Sequence, residues 1–344
     1  MIELAIDVGS GVTKLCSADR KTHFPSLSGQ GPERGFDLEE SKSKNTTVSF
    51  RVRRPTDIAG GKNRHEEVFF AVGEAAPNLV SPEKLAQTRS DDWYASDEYL
   101  ALMFAAVAEG VAPQYRGKIR LCTGLPQALY GEHRDALTKR LIGTHCFKVN
   151  DIPYKITIRR EDLFVMPQVM GLFLSRLAEN RSLQKDRVAV LDVGTYTSDW
   201  TIVENLATVQ WASGGMAVGV SNVVEDISKY LENVYRAQCS YVAVSNAIRY
   251  GEILIKERRV DLRDHIRQSV HDIAGPLVDA VYKQWRGAPD AHVIVGGGGA
   301  RLFGPTVRTL IPHTTVIQDA EPIYSVVEGY YSYLTAVRRK PKAA

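Results

Sequence analysis

A chain of 344 residues, 44% of them apolar and 24% charged, is long for one core and has the composition of an ordinary globular protein of about two domains. The net charge of +3 gives no electrostatic case for direct DNA binding, and no apolar run approaches the roughly 18–20 residues that would place it across a membrane. Cys16, Cys122, Cys146 and Cys239 are scattered without a CxxC pair, and the first residues enter a strand at once. That pattern excludes a disulfide scaffold, leaves no room for a signal peptide, and predicts reduced thiols in a cytoplasmic protein.

The elements alternate between strand and helix. Ile2–Val8, Val12–Ser17 and Thr22–Pro25 read as consecutive strands, and the polar stretch from Gly29 to Lys44 as an exposed loop. Thr46–Arg53 and Glu67–Val72 read as two strands joined through the Gly60-Gly61-Lys62 turn region, so that 26–75 forms a small insert. Ser96–Ala112 is predicted helical, because Leu100, Met103, Phe104 and Val107 fall on one face. A buried strand over Lys118–Cys122, a helix over Gln127–Leu141 and strands over Phe147–Arg159 follow. Pro167–Leu177 reads as a helix with its proline in the tolerated first turn.

The second half repeats the order. Arg187–Val193, Thr197–Val203 and Ala207–Ala212 make a second strand trio. Val218–Tyr235, Val242–Tyr250 and Leu262–Trp285 are predicted helices of a second insert. A strand at Ala291–Val295, a helix at Ala300–Thr309 and a closing helix at Ile323–Val337 complete the chain. The basic run Arg338-Arg339-Lys340-Pro341-Lys342 is open to two readings, a solvated tail or a contact with an acidic partner or nucleic acid. The histidines, His265 and His271 among them, show no ligand spacing on one helix face.

Two short stretches carry the chemistry. Ile6-Asp7-Val8-Gly9-Ser10-Gly11-Val12-Thr13-Lys14 and Leu191-Asp192-Val193-Gly194-Thr195-Tyr196-Thr197-Ser198-Asp199 share one plan: an apolar strand, an aspartate at its end, a glycine turn, then a hydroxyl-bearing strand. Aspartates so placed emerge where the chain turns, and glycine turns let backbone N–H groups approach phosphate oxygens. Two copies suggest similar halves closing on one ligand, with oxygen donors that suit Mg²⁺ held through water.

With these turns in place the chain resembles the actin-like ATPases. The first phosphate loop, Asp7 to Gly11 with Lys14, is worded like actin's. A connecting helix beginning Val165-Met166-Pro167-Gln168, the second loop from Asp192 to Asp199, the adenosine segment Val293–Ala300 and a last connecting helix at Val326–Tyr331 follow in the family's order. Met166-Pro167-Gln168, Gly215–Ser221 and Asn246–Ile255 are similar to bacterial ParM-type segregation actins. Asp199 agrees with that subgroup and departs from actin, which has histidine there. Tyr196 is bulky where many relatives carry a small residue.

The resemblance implies an α/β, actin-like (ribonuclease H-like, duplicated) two-domain fold with central mixed sheets and a nucleotide cleft between the domains. Domain I would span 1–175, with the insert at 26–75 and the C-terminal helix 323–338 completing it; domain II would span 176–322, with a helical insert at 217–290. It implies ATP or ADP as ligand, with Asp7 and Asp192 holding Mg²⁺ through water. Ser10, Gly11, Lys14, Gly194 and Thr195 would bind the phosphates, Arg249 and Glu252 the ribose, and Gly296, Gly297, Gly298 and Gly299 the adenosine. Gln168 would orient the attacking water and so act with Asp7 and Asp192 in catalysis; an amide is too weak a base to take the proton. The expected function is an ATP-dependent, slowly hydrolysing filament, with other copies of itself as partner and plasmid DNA reached through a small DNA-binding adaptor. A non-polymerising ATPase or a small-molecule kinase of the same fold is the alternative, although no aspartate is placed as a sugar-hydroxyl base. A chaperone-like or membrane-adaptor ATPase would need an appended domain or an amphipathic tail, and neither is evident.

Overall fold

The computed structural model describes residues 1–31, 46–54, 64–86, 88, 90, 92–286, 290–311, 314–316 and 321–339. Most of the predicted 29–44 loop, the Gly60-Gly61-Lys62 turn and the end of the basic tail lie outside the described residues. The chain forms two compact units. Met1–Leu125, Leu129–Pro167 and Val326–Ala344 make the first; Pro126–Ala128 and Gln168–Ser325 make the second. The dividing point at Pro167/Gln168 puts the whole following helix in the second unit, where the sequence reading kept residues up to 175 in the first.

In the first unit the strands are β1 (Ile2–Val8), β2 (Val12–Cys16), β3 (Lys21–Pro25), β4 (Ser28–Gln30), β5 (Thr46–Arg54) and β6 (Arg64–Val72). After them come α1 (Ala76–Leu79), α2 (Asp97–Glu109), β7 (Arg116–Leu125), α3 (Tyr130–Leu141), β8 (Gly143–Val149), β9 (Ile152–Ile158) and β10 (Leu163–Pro167). The sheet runs β3-β2-β1-β7-β9-β8-β5-β6-β4. Along β7, β1 pairs in parallel on one side, while β9 takes its first residues and β10 its last on the other. The predicted insert is therefore continuous with the main sheet through β5 and β8.

The helix α2 is buried from Tyr99 to Val107, not only on the predicted face. It packs against β1 and β2 and also against β4, β5, β6 and β8. Ala101, Ala105 and Ala106 allow the close approach, and Phe104 fills the far side, stacked on Phe147 at 4.4 Å and edge-on to Phe50 at 5.2 Å. Ser96 caps the helix, its Oγ accepting from the Tyr99 N–H at 3.1 Å.

The second unit holds α4 (Gln168–Glu179), β11 (Val188–Val193), β12 (Ser198–Glu204), β13 (Ala207–Thr208), β14 (Gly214–Met216), α5 (Val220–Tyr235) and α6 (Tyr241–Tyr250). Next are β15 (Glu252–Ile255), β16 (Arg258–Asp261), α7 (Arg263–Trp285), β17 (His292–Gly296), α8 (Ala300–Leu310) and β18 (Thr314–Val316). Its main sheet runs β13-β12-β11-β17-β18, with β14 on β12. The trio β11-β12-β13 with β17 parallel to β11 repeats the trio β1-β2-β3 with β7 parallel to β1.

Three readings are corrected here, and one hairpin is added. Val165–Pro167 is strand, β10, and α4 starts at Gln168, because pairing with β7 claims the residues before it. Residues 127–129 form a turn ahead of α3. The third strand of the second trio ends at Thr208, and Gln210–Ala212 is a 3₁₀ turn. The β15–β16 hairpin has too short an apolar run to stand out in the sequence.

A last helix, α9 (Ser325–Arg339), joins the first unit from Val326 onward. Its Tyr330 is fully buried, and a Cβ on Gly124 of β7 would lie 1.8 Å from the Tyr330 hydroxyl and 2.8 Å from the Met166 carbonyl. The glycine is what lets this helix sit down on β7. All four cysteines are free, and burial pushes the Cys16 thiol up to about 11.

Candidate functional site

In the first unit Asp7 is the last-but-one residue of β1 and only 1% exposed. Register places it opposite Lys14 on β2, and the ammonium lies 2.7 Å from its Oδ2. The turn Gly9-Ser10-Gly11 joins the two strands. Ser26, which the sequence reading passed over, fixes that turn: its Oγ donates to the Gly9 carbonyl at 2.5 Å, its N–H donates to Gly11 at 3.0 Å, and its Oγ meets Thr13 Oγ1 at 2.9 Å. Lys14 thus offers its charge beside a carboxylate, not as an isolated phosphate ligand.

In the second unit Asp192 is likewise the last-but-one residue of its strand, β11, half-buried, opposite Asp199 on β12 and beside Gly296 on β17. The turn 194–197 is closed by the Gly194 N–H donating to the Thr197 carbonyl at 2.8 Å. The Gly194 N–H predicted for phosphate is therefore used by the turn itself. The carbonyls of Gly194 and Thr195 are held by the first N–H groups of α5, from Val220 at 3.2 Å and Ser221 at 2.8 Å. This approach requires Gly219, where a Cβ would come within 2.6 Å of the Thr195 carbonyl. The helix N-terminus thus spends its orphan donors on the turn. Gly219 stood in the quoted 215–221 wording, but its partner across the fold was invisible there.

The four glycines after β17 do different things. A Cβ on Gly296 would meet Leu172 of α4 at 2.4 Å, and one on Gly299 would meet Val193 Cγ1 at 2.6 Å. Gly297 has φ +83°, and its Cβ would stand 2.0 Å from Asp192 Oδ1 and 2.6 Å from the Val193 carbonyl. Gly298 alone is exposed with open space around it, next to Gly299, the residue that caps α8. Three of the four are demanded by packing, Gly296 against Leu172 and Gly297 and Gly299 around Asp192 and Val193; Gly298 is the one free to meet a ligand near a helix N-terminus.

Asp199 is 4% exposed. Burial raises its carboxyl to about 6, against the opposing pull of hydrogen bonds from the Ala128 and Gln127 backbone and the Thr197 side chain. Gln168 is the first residue of α4 and half-buried. Arg249 lies over the Tyr250 ring, 5.7 Å from its centroid, and Glu252 pairs with Arg259 across the β15–β16 hairpin. The described contacts of both residues belong to that helix–hairpin segment, and none joins them to the glycine run. Among the described residues no group of three or more His, Cys, Asp or Glu is arranged to hold a metal ion, and no helix is long and apolar enough to cross a membrane.

A strand trio with an aspartate–glycine turn in each of two units, each followed by a parallel strand, defines the actin-like two-domain fold. The chain carries actin-like domains in both halves: residues 5–171 match the family model for the actin-like protein N-terminal domain, and residues 190–309 match that for the C-terminal part of the archaeal MreB-like actin homologue. Among solved structures it is similar to Ta0583, an archaeal actin homologue, with TM-score 0.79, 19% identity and coverage of 98% of this chain and 100% of that one. The ADP complex of Ta0583 gives 0.75 and 20%, over 99% and 100%. A 15-stranded ParM filament from Clostridium botulinum gives 0.74 and 19%, over 97% and 99%. Bacillus thuringiensis ParM with AMPPNP gives 0.71 and 14%, over 98% and 99%. No curated protein sequence matches the chain.

Proposed function

We propose that the chain binds Mg²⁺–ATP, hydrolyses it slowly and assembles with other copies of itself into filaments in the cytoplasm. The observation that carries this reading is the second turn. Asp192 is pressed against the backbone of Gly297, the turn is tied to α5, and the exposed Gly298 lies just ahead of the α8 N-cap, Gly299. The ADP and AMPPNP complexes and the ParM filament among the structural neighbours support both halves of the proposal. In the finer reading the filament moves plasmid DNA through a small DNA-binding adaptor, in keeping with a net charge of only +3.

Phosphoryl transfer to water needs positioning and charge more than covalent chemistry. Lys14 supplies a positive charge that an incoming phosphate would share with Asp7. Ser10, Gly11 and Thr195 supply donors at the two turns, Thr195 replacing the engaged Gly194 N–H. Gln168, at the head of α4, would hold the attacking water by its amide and take no proton. One carboxylate at each turn suits Mg²⁺ bound through its own waters, and the ion when bound neutralises charge on the β- and γ-phosphates.

Pelleting and light scattering with ATP, with ADP and without nucleotide test the proposal. Assembly in ATP that reverses as ATP is consumed is expected; strict monomers in all three states overturn the filament. Asp192→Ala is expected to lose Mg²⁺-dependent hydrolysis. Gln168→Ala should still bind ATP and assemble, with turnover slowed about tenfold to a hundredfold. Normal turnover in that variant removes Gln168 from the mechanism.

A further inference from the structure

The first unit's chain makes a brief departure that nothing in the sequence announces. At Leu125 it leaves β7, places Pro126–Ala128 in the second unit, and returns at Leu129 to begin α3. Three residues cannot hold themselves in a foreign unit without an anchor, since each fixed residue costs about 1–2 kcal/mol of backbone entropy. The anchor is Asp199. Its Oδ1 accepts from the Ala128 N–H at 3.3 Å, and the Gln127 N–H also donates to its carboxylate. The Thr197 side chain gives it a third hydrogen bond. Thr197 in turn closes the phosphate turn, its carbonyl accepting from the Gly194 N–H at 2.8 Å.

The surroundings are shaped for this contact. Gly215 on β14 pairs with Asp199, and a Cβ there would stand 3.0 Å from Asp199 Oδ1 and 3.2 Å from the Ala128 Cβ. Gln127 is buried with Asp199. On its other side Asp199 faces Asp192 across the β11–β12 ladder, so both carboxylates lie on one face of the sheet. At 4% exposure Asp199 does not present its oxygens to solvent or to a substrate.

We propose that Asp199 is a positioning residue that ties the second phosphate turn to the Pro126–Ala128 segment, so that nucleotide at Asp192 and Thr195 is transmitted to the junction of β7 and α3. The inference rests on the nucleotide site proposed above. A rearrangement of the 194–197 turn alters the Thr197 bond to Asp199. That carboxylate holds the only two backbone N–H groups the segment offers, since Pro126 has none. The segment carries the change directly into β7 and α3 of the first unit.

Hydrogen–deuterium exchange on the full chain separates the steps. Without nucleotide, the amides of Gln127 and Ala128 should exchange at least tenfold faster in Asp199→Ala than in the unmodified chain; equal rates overturn the anchor. With Mg²⁺–ATP, the same amides should slow further in the unmodified chain and show no nucleotide response in Asp199→Ala. Gly215→Ala, which crowds the contact and leaves the carboxylate in place, should reduce that response. ATP affinity, read by titration with a fluorescent analogue, should stay within about threefold in both variants. A loss of affinity beyond tenfold in folded Asp199→Ala would make Asp199 a nucleotide ligand and overturn the positioning role. An unmodified chain that binds no nucleotide overturns the function proposed above and leaves the anchor to be read from the nucleotide-free exchange. A chain that binds nucleotide with no change at residues 127 and 128 overturns the coupling alone.

Discussion

Gly297→Ala should lose both stability and nucleotide binding, while Gly298→Ala, one residue along, keeps its stability. At φ +83° an alanine pays about 1–2 kcal/mol for its left-handed backbone. Its methyl would also stand 2.0 Å from Asp192 Oδ1 and 2.6 Å from the Val193 carbonyl. The carbonyl belongs to a central strand paired on both sides, so the relief has to come from Asp192. Overpacking of this kind costs about 1–3 kcal/mol more. The expected sum is a loss of about 2–5 kcal/mol in urea unfolding, with Asp192 turned out of place in the fraction that stays folded. Gly298 has nothing within 4 Å of the equivalent methyl, so its variant should unfold within about 0.5 kcal/mol of the parent. Gly297→Ala binding a fluorescent ATP analogue at parental affinity would remove the Gly297–Asp192 contact from the site.

The second large effect is a pH dependence of stability centred on Asp199. Its carboxyl, near 3.8 when the chain is unfolded, rises to about 6 in the folded protein, chiefly through burial. The folded state therefore holds this proton more tightly. The stability it confers is complete below about pH 4 and is lost as pH rises through 6. The full swing is about 3 kcal/mol for a shift of this size. Asp199→Asn removes the titration but puts an NH₂ where three donors expect an oxygen. Its absolute stability is thus a balance of two terms, and the clean quantity is the slope. Between pH 4 and 7 the parent should lose up to about 3 kcal/mol more than the variant, measured by urea titration. Parallel curves for the two proteins would show that Asp199 does not titrate in this range.

What the sequence made legible was whatever repeats or punctuates locally. The two aspartate–glycine turns, the order of the strand trios and the apolar runs of β1, β7, β11 and β17 were all readable, because a turn needs its own residues and a buried strand its own apolar run. Positions that depend on a distant neighbour were not. The run Gly296–Gly299 looked like one motif, yet three of its members answer to Leu172, Asp192 and Val193, which no local pattern names. Ser26, just past β3, and Gly219, just ahead of α5, hold the two turns from outside them, and each is an ordinary residue until the fold brings it there. The amphipathic pattern of α2 was real but incomplete: its alanines count as neutral in a periodicity and become contact surface once sheet covers both sides. Asp199 was visible as an aspartate in a phosphate-loop motif; that it serves the 126–128 segment was not.

The division of the chain has a consequence for the order in which the molecule is made. The second unit, apart from three residues, is one uninterrupted stretch, Gln168–Ser325, whereas the first is completed only by α9 from Val326 onward. During synthesis, which runs from the N-terminus, every residue of the second unit is available before the helix that covers β7 at Gly124 has been made. Until Tyr330 arrives, that face of the first unit stays open. The final fifteen-residue helix is thus the step that closes the first unit, and a chain broken before it would carry a finished second unit beside an unfinished first.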